Sequence, residues 1–312
     1  MNWPLRSRLK RVTLSAATHP LGYACAAALA LNGEATEPGR APVAACLVCG
    51  SPSQATHKFR PEHLLRCTDC GLIFRDVGGQ DVVAMYRDNS YAAARMNALT
   101  RHRRDESQQR VRWTAEQVSS GRLLDIGAGA GFFVEAAGAR GFDAVGVEPS
   151  DLAATFARRE LGVDVRTGVL ETLGDQVGTF DIATMWHVLE HTSDPLALLR
   201  AVRGRLRDGG RLVLEVPNAD SVGATVMKGR WAHLDPSAHI CHFSLRSLRV
   251  ALETAGFEVL ILSTLLEGYY DTRAVRVRPR RIAGRLVRGA RLRTLSLSHP
   301  SRGELLQAVA RA

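Results

Sequence analysis

The sequence lacks long apolar runs, has few aromatic residues and shows none of the compositional biases of fibrous or disordered chains. A membrane-spanning helix needs about 20 consecutive apolar residues, and the apolar stretches here are much shorter. Aromatic residues make up 6% of the chain, and the 46% hydrophobic and 23% charged residues are ordinary for a globular protein. These features exclude a membrane-spanning bundle, a collagen-like chain and a coiled coil. The 312 residues suffice for one large domain and a small one.

Positive charge is concentrated at one end of the chain rather than spread over it. Residues 121–264 carry 14 basic and 18 acidic side chains, whereas residues 265–312 carry 11 basic and 3 acidic ones. Enzymes that act on nucleic acids usually concentrate positive charge around the active face. The acidic middle of the chain therefore argues against nucleic acid as a partner.

The first 40 residues have the order of a secretory signal without its full pattern. Four basic residues between positions 6 and 11 precede the apolar stretch 21–31. Pro20 interrupts the apolar region, and no clear small-x-small cleavage site follows it. We therefore expect 1–40 to be an extension outside the folded part, with a targeting or anchoring segment as the alternative.

Four of the six cysteines form two closely spaced pairs. The pairs are Cys46 with Cys49 and Cys67 with Cys70, with 17 residues between the pairs, and Cys25 and Cys241 are left over. Two residues between the members of each pair let both thiolates come from one turn, and four thiolates complete a tetrahedral zinc site with no open position. We predict a structural zinc ribbon over residues 41–76. Two disulfides are the alternative.

From residue 121 onward, short apolar strands alternate with amphipathic helices, after a charged helical linker over residues 77–120. The expected strands are 123–126, 144–147, 163–166, 180–185, 211–216 and 258–262; the expected helices are 132–140, 151–161, 195–206 and 244–255. Such alternation indicates a parallel sheet covered by helices on both faces, a doubly wound α/β fold.

A glycine-rich loop follows the first strand of this pattern. The stretch L-L-D-I-G-A-G-A-G-F-F contains Asp125, Gly127, Gly129 and Gly131. Ligands of open parallel sheets bind at the carboxyl ends of the strands, where glycines allow close backbone approach. The third glycine of a dinucleotide fingerprint would stand at position 132, which is Phe132. Glu148 ends the second strand, where a carboxylate accepts hydrogen bonds from ribose hydroxyls.

These stretches together resemble the class I S-adenosylmethionine-dependent methyltransferases. The resemblance covers residue 122 to about 262 and includes V-G-V-E-P-S, F-D-I-A-T-M-W-H-V-L-E-H-T-S-D-P and D-G-G-R-L-V-L-E-V-P-N in the family's order. The C-terminal G-E-L-L-Q-A-V-A-R-A resembles the family's seventh strand, which pairs antiparallel beside the sixth. The resemblance implies a seven-stranded Rossmann-like methyltransferase sheet built from 121–264 and 301–312, with 265–300 as a basic insertion.

The resemblance also implies S-adenosylmethionine as cofactor and a set of residues that bind it. Glu148 suits the ribose, and Asp125 suits the ammonium group directly or through water. The family often has an acidic residue against adenine after the third strand, whereas this chain has Val169 there and Glu171 two residues later. The implied binding residues are Asp125, Gly127, Ala128, Gly129, Gly131, Phe132, Glu148, Pro149, Leu170, Trp186 and His187.

The cysteine module resembles that of a bacterial subgroup similar to sugar C-methyltransferases and other small-molecule methyltransferases. The shared pattern is C-x-x-C-G followed by C-x-x-C-G-L-x-F. It implies a small-molecule acceptor such as a carbohydrate, a lipid-linked glycan or a secondary metabolite. One alternative is an RNA methyltransferase that grips rRNA with the ribbon. Residues 46–75, with only 4 basic and 2 acidic side chains, and the missing Asn/Asp-Pro-Pro-Tyr/Phe stretch oppose it. A second alternative is a non-catalytic scaffold that binds the cofactor.

Two groups of histidines supply candidates for a catalytic base. His187, Glu190 and His191 spell the inverted zincin pattern H-x-x-E-H. This stretch leaves a strand and enters a loop, so we expect a base or substrate-orienting role, or a helix cap, rather than a metal. The second group, His233, His239, Cys241 and His242, lies in residues 218–243, which we expect to be an irregular substrate lid. The candidate catalytic residues are His187, His191, His239 and His242. Metal ligation in the second group and exposed histidines without a role are alternatives.

The segment 273–300 combines nine arginines with apolar residues near helical spacing. A basic amphipathic helix can lie on an anionic membrane. We therefore weigh peripheral membrane contact against a solvated basic loop and, third, nucleic-acid binding. The expected location is cytoplasmic, with contact at the inner membrane face under the membrane interpretation.

Overall fold

The computed structural model describes residues 44–56, 58–59, 64–78, 83–87, 100–231, 233–235, 238–265 and 302–312. The predicted extension 1–40 and the basic segment 273–300 lie outside the described residues. In the part of the chain that is described, no helix is long and apolar enough to cross a membrane.

Eleven strands and eight α-helices are described. The strands are β1 (Ser53–Thr56), β2 (Leu64–Cys67), β3 (Ile73–Phe74), β4 (Arg122–Ile126), β5 (Asp143–Glu148), β6 (Val165–Thr167), β7 (Phe180–Trp186), β8 (Leu206–Pro217), β9 (Cys241–His242), β10 (Glu258–Leu265) and β11 (Leu305–Arg311). The helices are α1 (Ala84–Arg87), α2 (Thr100–Gln117), α3 (Phe132–Ala139), α4 (Asp151–Phe156), α5 (Leu170–Leu173), α6 (Pro195–Arg203), α7 (Val222–Met227) and α8 (Leu245–Thr254). Short 3₁₀ turns occur at Gly174–Val177, Leu189–His191 and Lys228–Arg230, and a π-helical turn at Ala157–Leu161 continues α4.

The large sheet has the strand order β10-β11-β8-β7-β4-β5-β6. Among the described strands of this sheet, only β11 runs antiparallel to its neighbours, and the other pairings are parallel. The chain lays down β4, β5 and β6 outward on one side and then returns to place β7 on the other side of β4. This reversal creates a crevice at the carboxyl ends of β4 and β7, where open α/β sheets bind ligands. The predicted Rossmann-like methyltransferase fold, including its seventh strand, is confirmed.

Central strands bury side chains on both faces because helices cover both sides of the sheet. Leu123 and Ile182 pack on the face covered by α2 and α3, whereas Leu124 and Met185 belong to the core of the opposite face. On that opposite face, α6 begins with Pro195 after Asp194, whose side chain accepts a hydrogen bond from the Ala197 backbone N–H at 2.9 Å. Its apolar face, including Leu199, is buried.

The helix expected over 195–206 is too long, and the following strand expected from 211 starts too late. Helix α6 ends at Arg203, and β8 already begins at Leu206. Gly209, with a φ of +74°, lets the strand continue through the D-G-G turn signal because glycine adopts positive φ without steric cost.

A second sheet of four antiparallel strands has the order β1-β2-β3-β9. Its first three strands come from the cysteine module, but β9 comes from the distant segment 241–242, with Ile73 opposite His242 and Phe74 opposite Cys241. The expectation of an irregular lid over 218–243 is therefore wrong in part. This segment contains α7, a 3₁₀ turn and β9, and its residues Ile240 and Phe243 are buried. Strand pairing and apolar burial hold it against the cysteine module.

Candidate functional site

The glycine loop turns sharply between β4 and α3. Gly127, Gly129 and Gly131 all have positive φ angles of 71°, 55° and 82°. A Cβ at position 127 would lie 2.6 Å from Val188 Cγ2, and one at position 131 would lie 2.7 Å from Ala157 Cβ. Backbone conformation and close packing therefore both require glycine at positions 127 and 131.

Glu148 is buried at the end of β5 and is held by backbone donors. Its Oε2 accepts a hydrogen bond from the Gly129 N–H at 2.8 Å, and its Oε1 accepts one from the Ser150 N–H at 2.9 Å. A carboxylate offers about four acceptor positions, so it can accept further hydrogen bonds from a ligand while it braces the loop. The same carboxylate thus fixes the glycine loop and suits a vicinal diol.

Asp125 is buried at the end of β4. Thr184 Oγ1 donates a hydrogen bond to its Oδ1 at 2.7 Å. Burial raises the pKa of Asp125 to about 7, although the Thr184 hydrogen bond and the Arg110 cation act in the opposite direction. A cationic ligand group beside this carboxyl would favour its ionised form.

A cavity of about 350 Å³ opens along the carboxyl ends of β4, β5 and β7. The glycine loop, Asp125 and Glu148 form one part of its wall, and His187 and His191 form another. Of the eleven residues predicted to bind cofactor, those that line it are Asp125, Gly127, Ala128, Gly129, Phe132, Glu148, Pro149, Leu170, Trp186 and His187. Gly131 instead packs against Ala157 and Val163. Val169 and Glu171 both line the cavity beside Leu170.

A network of charged side chains that the sequence analysis missed lies beside the cavity. Arg110 Nη2 on α2 contacts Glu215 Oε1 on β8 at 2.6 Å, and Gln307 Nε2 on β11 donates to Glu215 Oε2 at 2.9 Å. His187 lies between two carboxylates, 3.2 Å from Glu190 Oε1 and 3.4 Å from Glu215 Oε1. No local sequence signal marks Arg110, because its partner is more than 100 residues away in the chain.

Two neighbouring carboxylates favour the cationic form of His187. Although burial by itself lowers its pKa, hydrogen bonds to Glu190 and Glu215 raise the pKa of His187 to about 9. A protonated imidazole has no lone pair, so His187 suits a positioning role better than the expected role of base.

The other three candidate histidines differ in their access to the cavity. His191 lines it, and His239 contacts His191 edge to face with ring centroids 4.6 Å apart. Burial, followed by the neighbouring His191, lowers the pKa of His239 to about 4. Burial, followed by His239, lowers the pKa of His242 to about 3. The alternative of exposed histidines without a role is wrong for His242, which is 2% exposed.

The inverted zincin pattern does not lie on a long helix. His187 follows the end of β7, and Leu189–His191 form a 3₁₀ turn before α6. Glu190 and His191 nevertheless converge with His239, and one ligand atom from each lies within 4.8 Å of the others. The sequence gives no sign of this convergence across 48 residues.

The four paired cysteines converge on one point of the cysteine module. Their sulfur atoms all lie within 4.8 Å of one another, with Sγ–Sγ distances of 3.6 Å between Cys46 and Cys70 and 3.4 Å between Cys49 and Cys67. These distances exceed a disulfide bond of about 2.05 Å, so the alternative of two disulfides is wrong. They are close to the ~3.8 Å edge of a tetrahedron with metal–sulfur bonds of about 2.3 Å.

Backbone donors and shifted thiol pKa values accompany the cysteine cluster. The Val48 and Asp69 N–H groups each donate to a cysteine sulfur at 3.4 Å. A hydrogen bond to Cys70, the largest influence, lowers the pKa of the Cys46 thiol to about 5. Cys241 lies outside the cluster, and burial raises the pKa of its thiol. The four-cysteine donor set and its spacing fit a closed zinc site.

Comparison with known proteins gives consistent matches. A family model described as "Methyltransferase domain" matches residues 97–262. The ubiquinone biosynthesis O-methyltransferase of Pseudomonas aeruginosa (strain UCBPP-PA14) is 31% identical over 117 residues, or 35% of this chain and 50% of that protein. The chain thus spans about half the length of the curated relatives it matches.

Solved structures share the fold. A SAM-dependent methyltransferase from Archaeoglobus fulgidus matches with a TM-score of 0.50 and 20% identity, covering 67% of this chain and 94% of that one. A structure described as a SAM-dependent methyltransferase from Thermotoga maritima matches with a TM-score of 0.50 and 21% identity. The match covers 74% of this chain and 99% of that one. At these identities the matches show the fold alone.

Proposed function

The chain belongs to the methyltransferase-domain family, and we propose that it transfers the methyl group of S-adenosylmethionine to a small-molecule acceptor bound in the same cavity. The observation that carries this proposal is the placement of Glu148, Asp125 and the glycine loop around one cavity at the switch point of the sheet. S-adenosylmethionine supplies an electrophilic methyl group on a sulfonium sulfur.

Different residues of the cavity would bind different parts of S-adenosylmethionine. Glu148 would accept hydrogen bonds from the ribose hydroxyls, and Asp125 in its ionised form would pair with the ammonium group. Val169 and Leu170 offer apolar surface for the adenine ring, at the point where the chain departs from the acidic residue that is frequent in the family. The part of the wall that holds His187 and His191 is left for the acceptor. Positioning of two reactants in one cavity would then provide much of the rate enhancement.

The acceptor we propose is a hydroxylated small molecule, such as a carbohydrate, a lipid-linked glycan or another hydroxylated metabolite. Two observations support this class. The cysteine module resembles that of methyltransferases with sugar and other small-molecule substrates, and the Pseudomonas aeruginosa relative is named an O-methyltransferase of ubiquinone biosynthesis. His191 lines the cavity, where its imidazole would form a hydrogen bond with an acceptor hydroxyl.

We further propose that Cys46, Cys49, Cys67 and Cys70 bind one structural zinc ion. Four thiolates leave no position for substrate, so this ion stabilises the cysteine module and takes no part in methyl transfer.

The function is tested by calorimetry and by turnover. We expect micromolar affinity for S-adenosylmethionine, about −7 to −8 kcal/mol. The Glu148→Gln variant keeps the size of the side chain but loses its charge, and it should weaken binding by roughly 1.5–3 kcal/mol. Glu171→Gln, on the same cavity, is the matched control and should bind nearly as well as the wild type. Equal affinity in wild type and Glu148→Gln would remove Glu148 from the site.

Turnover separates an enzyme from a cofactor-binding scaffold. Release of S-adenosylhomocysteine is measured with pools of glycans, phenolic metabolites and rRNA. We expect release with a small-molecule pool. Release with rRNA alone, or cofactor binding without release in any pool, would contradict the proposal.

A further inference from the structure

Three metal-ligating side chains meet beside the cavity, and we propose that Glu190, His191 and His239 bind a divalent transition-metal ion such as Zn²⁺. One ligand atom from each residue lies within 4.8 Å of the others. The backbone holds the group together, since the Ile240 N–H donates to the Glu190 carbonyl oxygen at 2.8 Å. This site is separate from the four-cysteine cluster.

In both histidines, Nε2 is the ring nitrogen that can bind a metal ion. His191 Nδ1 lies 3.1 Å from the Ala238 carbonyl oxygen, and His239 Nδ1 lies 2.7 Å from the His233 carbonyl oxygen. A carbonyl oxygen only accepts hydrogen bonds, so each Nδ1 carries the proton and each Nε2 keeps its lone pair. The Tyr86 hydroxyl, 2.5 Å from His191 Nδ1, is compatible with this tautomer because it can also accept. Metal-binding histidines usually donate their second N–H to a carbonyl or carboxylate in this way.

The Glu190 carboxylate is a second observation that points to a ligand at this cluster. Its side chain is 1% exposed, and its Oε1 lies 3.2 Å from His187 Nδ1. Its Oε2 is buried and has no hydrogen-bond partner among the residues that the structure describes. Leaving a buried carboxylate oxygen unpaired is costly. Glu190 Oε1 lies 4.0 Å from His191 Nε2, and a metal ion held by the Glu190 carboxylate and the two imidazoles would offset that cost.

The donor set selects the class of metal. Two imidazole nitrogens and one carboxylate oxygen are typical of zinc sites that retain an open position and of mononuclear iron sites. Mg²⁺ and Ca²⁺ prefer oxygen ligands. Ligand atoms around a tetrahedral zinc ion lie about 3.3 Å apart, so binding would draw these side chains closer by small rotations.

The position of the site indicates what its open coordination position would take. Three protein ligands leave at least one position for an external oxygen, and His191 lies on the cavity wall. If the proposed function holds, that oxygen is the acceptor hydroxyl, which the metal would orient and acidify. This last step rests on the proposed function, whereas metal binding itself does not.

The test measures metal binding on the whole 312-residue chain without cofactor or acceptor. Chelator-stripped protein is titrated with Co²⁺ in wild type, Glu190→Gln and His239→Ala, with His233→Ala as the matched control. Co²⁺ at the cysteine cluster gives intense thiolate charge-transfer absorption. We expect wild type and control to bind one further equivalent of Co²⁺, beyond the cysteine cluster, that adds no such absorption. Both ligand variants should lose this equivalent or bind it more than ~10-fold more weakly.

Two outcomes would overturn the metal site. One is wild-type protein that takes up Co²⁺ only with thiolate absorption, and the other is ligand variants that bind as much metal as the control. Circular dichroism checks that His239→Ala is folded, and His239→Gln replaces it if it is not. Calorimetry with S-adenosylmethionine on the same samples tests the proposed function separately.

Discussion

At the scale of single residues, the buried carboxyl group of Asp125 makes cofactor affinity depend on pH. Burial raises its pKa to about 7, so the group is neutral below that pH and anionic above it. Only the anion pairs with the ammonium group of the ligand. Affinity for S-adenosylhomocysteine should therefore rise by about 5- to 10-fold, ~1–1.4 kcal/mol, between about pH 6 and 7.5.

Calorimetry across this pH range checks the prediction, with Asp125→Asn as the control. The amide side chain of this variant does not titrate, so the affinity of the variant should not change with pH. It should be close to the affinity of the wild type near pH 6. A wild-type affinity that is constant with pH, or that falls as pH rises, would contradict the role of Asp125.

Two glycines of the same loop should respond differently to alanine. Gly127 and Gly129 both have positive φ, which costs an L-residue about 1–2 kcal/mol. At position 127 the new Cβ would also lie 2.6 Å from Val188 Cγ2, whereas no described atom lies within 4 Å at position 129. Gly127→Ala should therefore lower the melting temperature more than Gly129→Ala does. Equal shifts in thermal denaturation would show that packing against Val188 does not matter.

At the scale of elements, strand β9 links the cysteine module to the loop that carries His239. Because β9 pairs with β3, loss of the zinc ion that we propose at the four cysteines should loosen residues 219–243 as well as the module. Cys67→Ala should abolish zinc retention at the cluster and make both segments sensitive to protease. Glu148 lies on another part of the fold, so cofactor affinity should change little.

Cys241→Ala is the matched control for this prediction. It removes a buried thiol from the same small sheet but leaves the four predicted ligands intact. Elemental analysis should find the cluster zinc in Cys241→Ala and not in Cys67→Ala. Retention of that zinc in Cys67→Ala would defeat the assignment.

At the scale of the whole molecule, we predict that the arginine-rich segment 273–300 contacts anionic membranes. It follows β10 and precedes β11, whose ends are adjacent because Leu265 is opposite Leu305 and the Gly303 N–H donates to Thr264 Oγ1 at 3.2 Å. A deletion of 273–300 therefore leaves a short connection between neighbouring ends. It should preserve the sheet.

Co-sedimentation with phosphatidylglycerol vesicles tests this prediction. The intact protein should pellet with vesicles at low salt and less so at high salt, because salt screens exposed charges. The deletion variant should remain in the supernatant. If both forms stay in the supernatant at low salt, the arginines serve as solubilising charge.

Local sequence patterns determined the fold class and many of the residues that form the candidate site. Strand and helix periodicities predicted six strands of the large sheet, and the family resemblance predicted the seventh. The glycine loop and Glu148 predicted one wall of the cavity, where we propose that the cofactor binds. The spacing of Cys46, Cys49, Cys67 and Cys70 predicted one cluster of four thiols. These features depend on residues that are neighbours in the chain, or on a motif whose spacing is fixed by a single turn.

The tertiary structure alone decided which distant segments meet. It placed Arg110 of α2 against Glu215 of β8, joined β9 to the cysteine module and brought His239 to Glu190 and His191. The His187 cation arises in the same way, because its pKa depends on two carboxylates, one of them 28 residues away. Side-chain contacts and pKa values of this kind depend on how the elements pack. Periodicity within a single element does not contain that information.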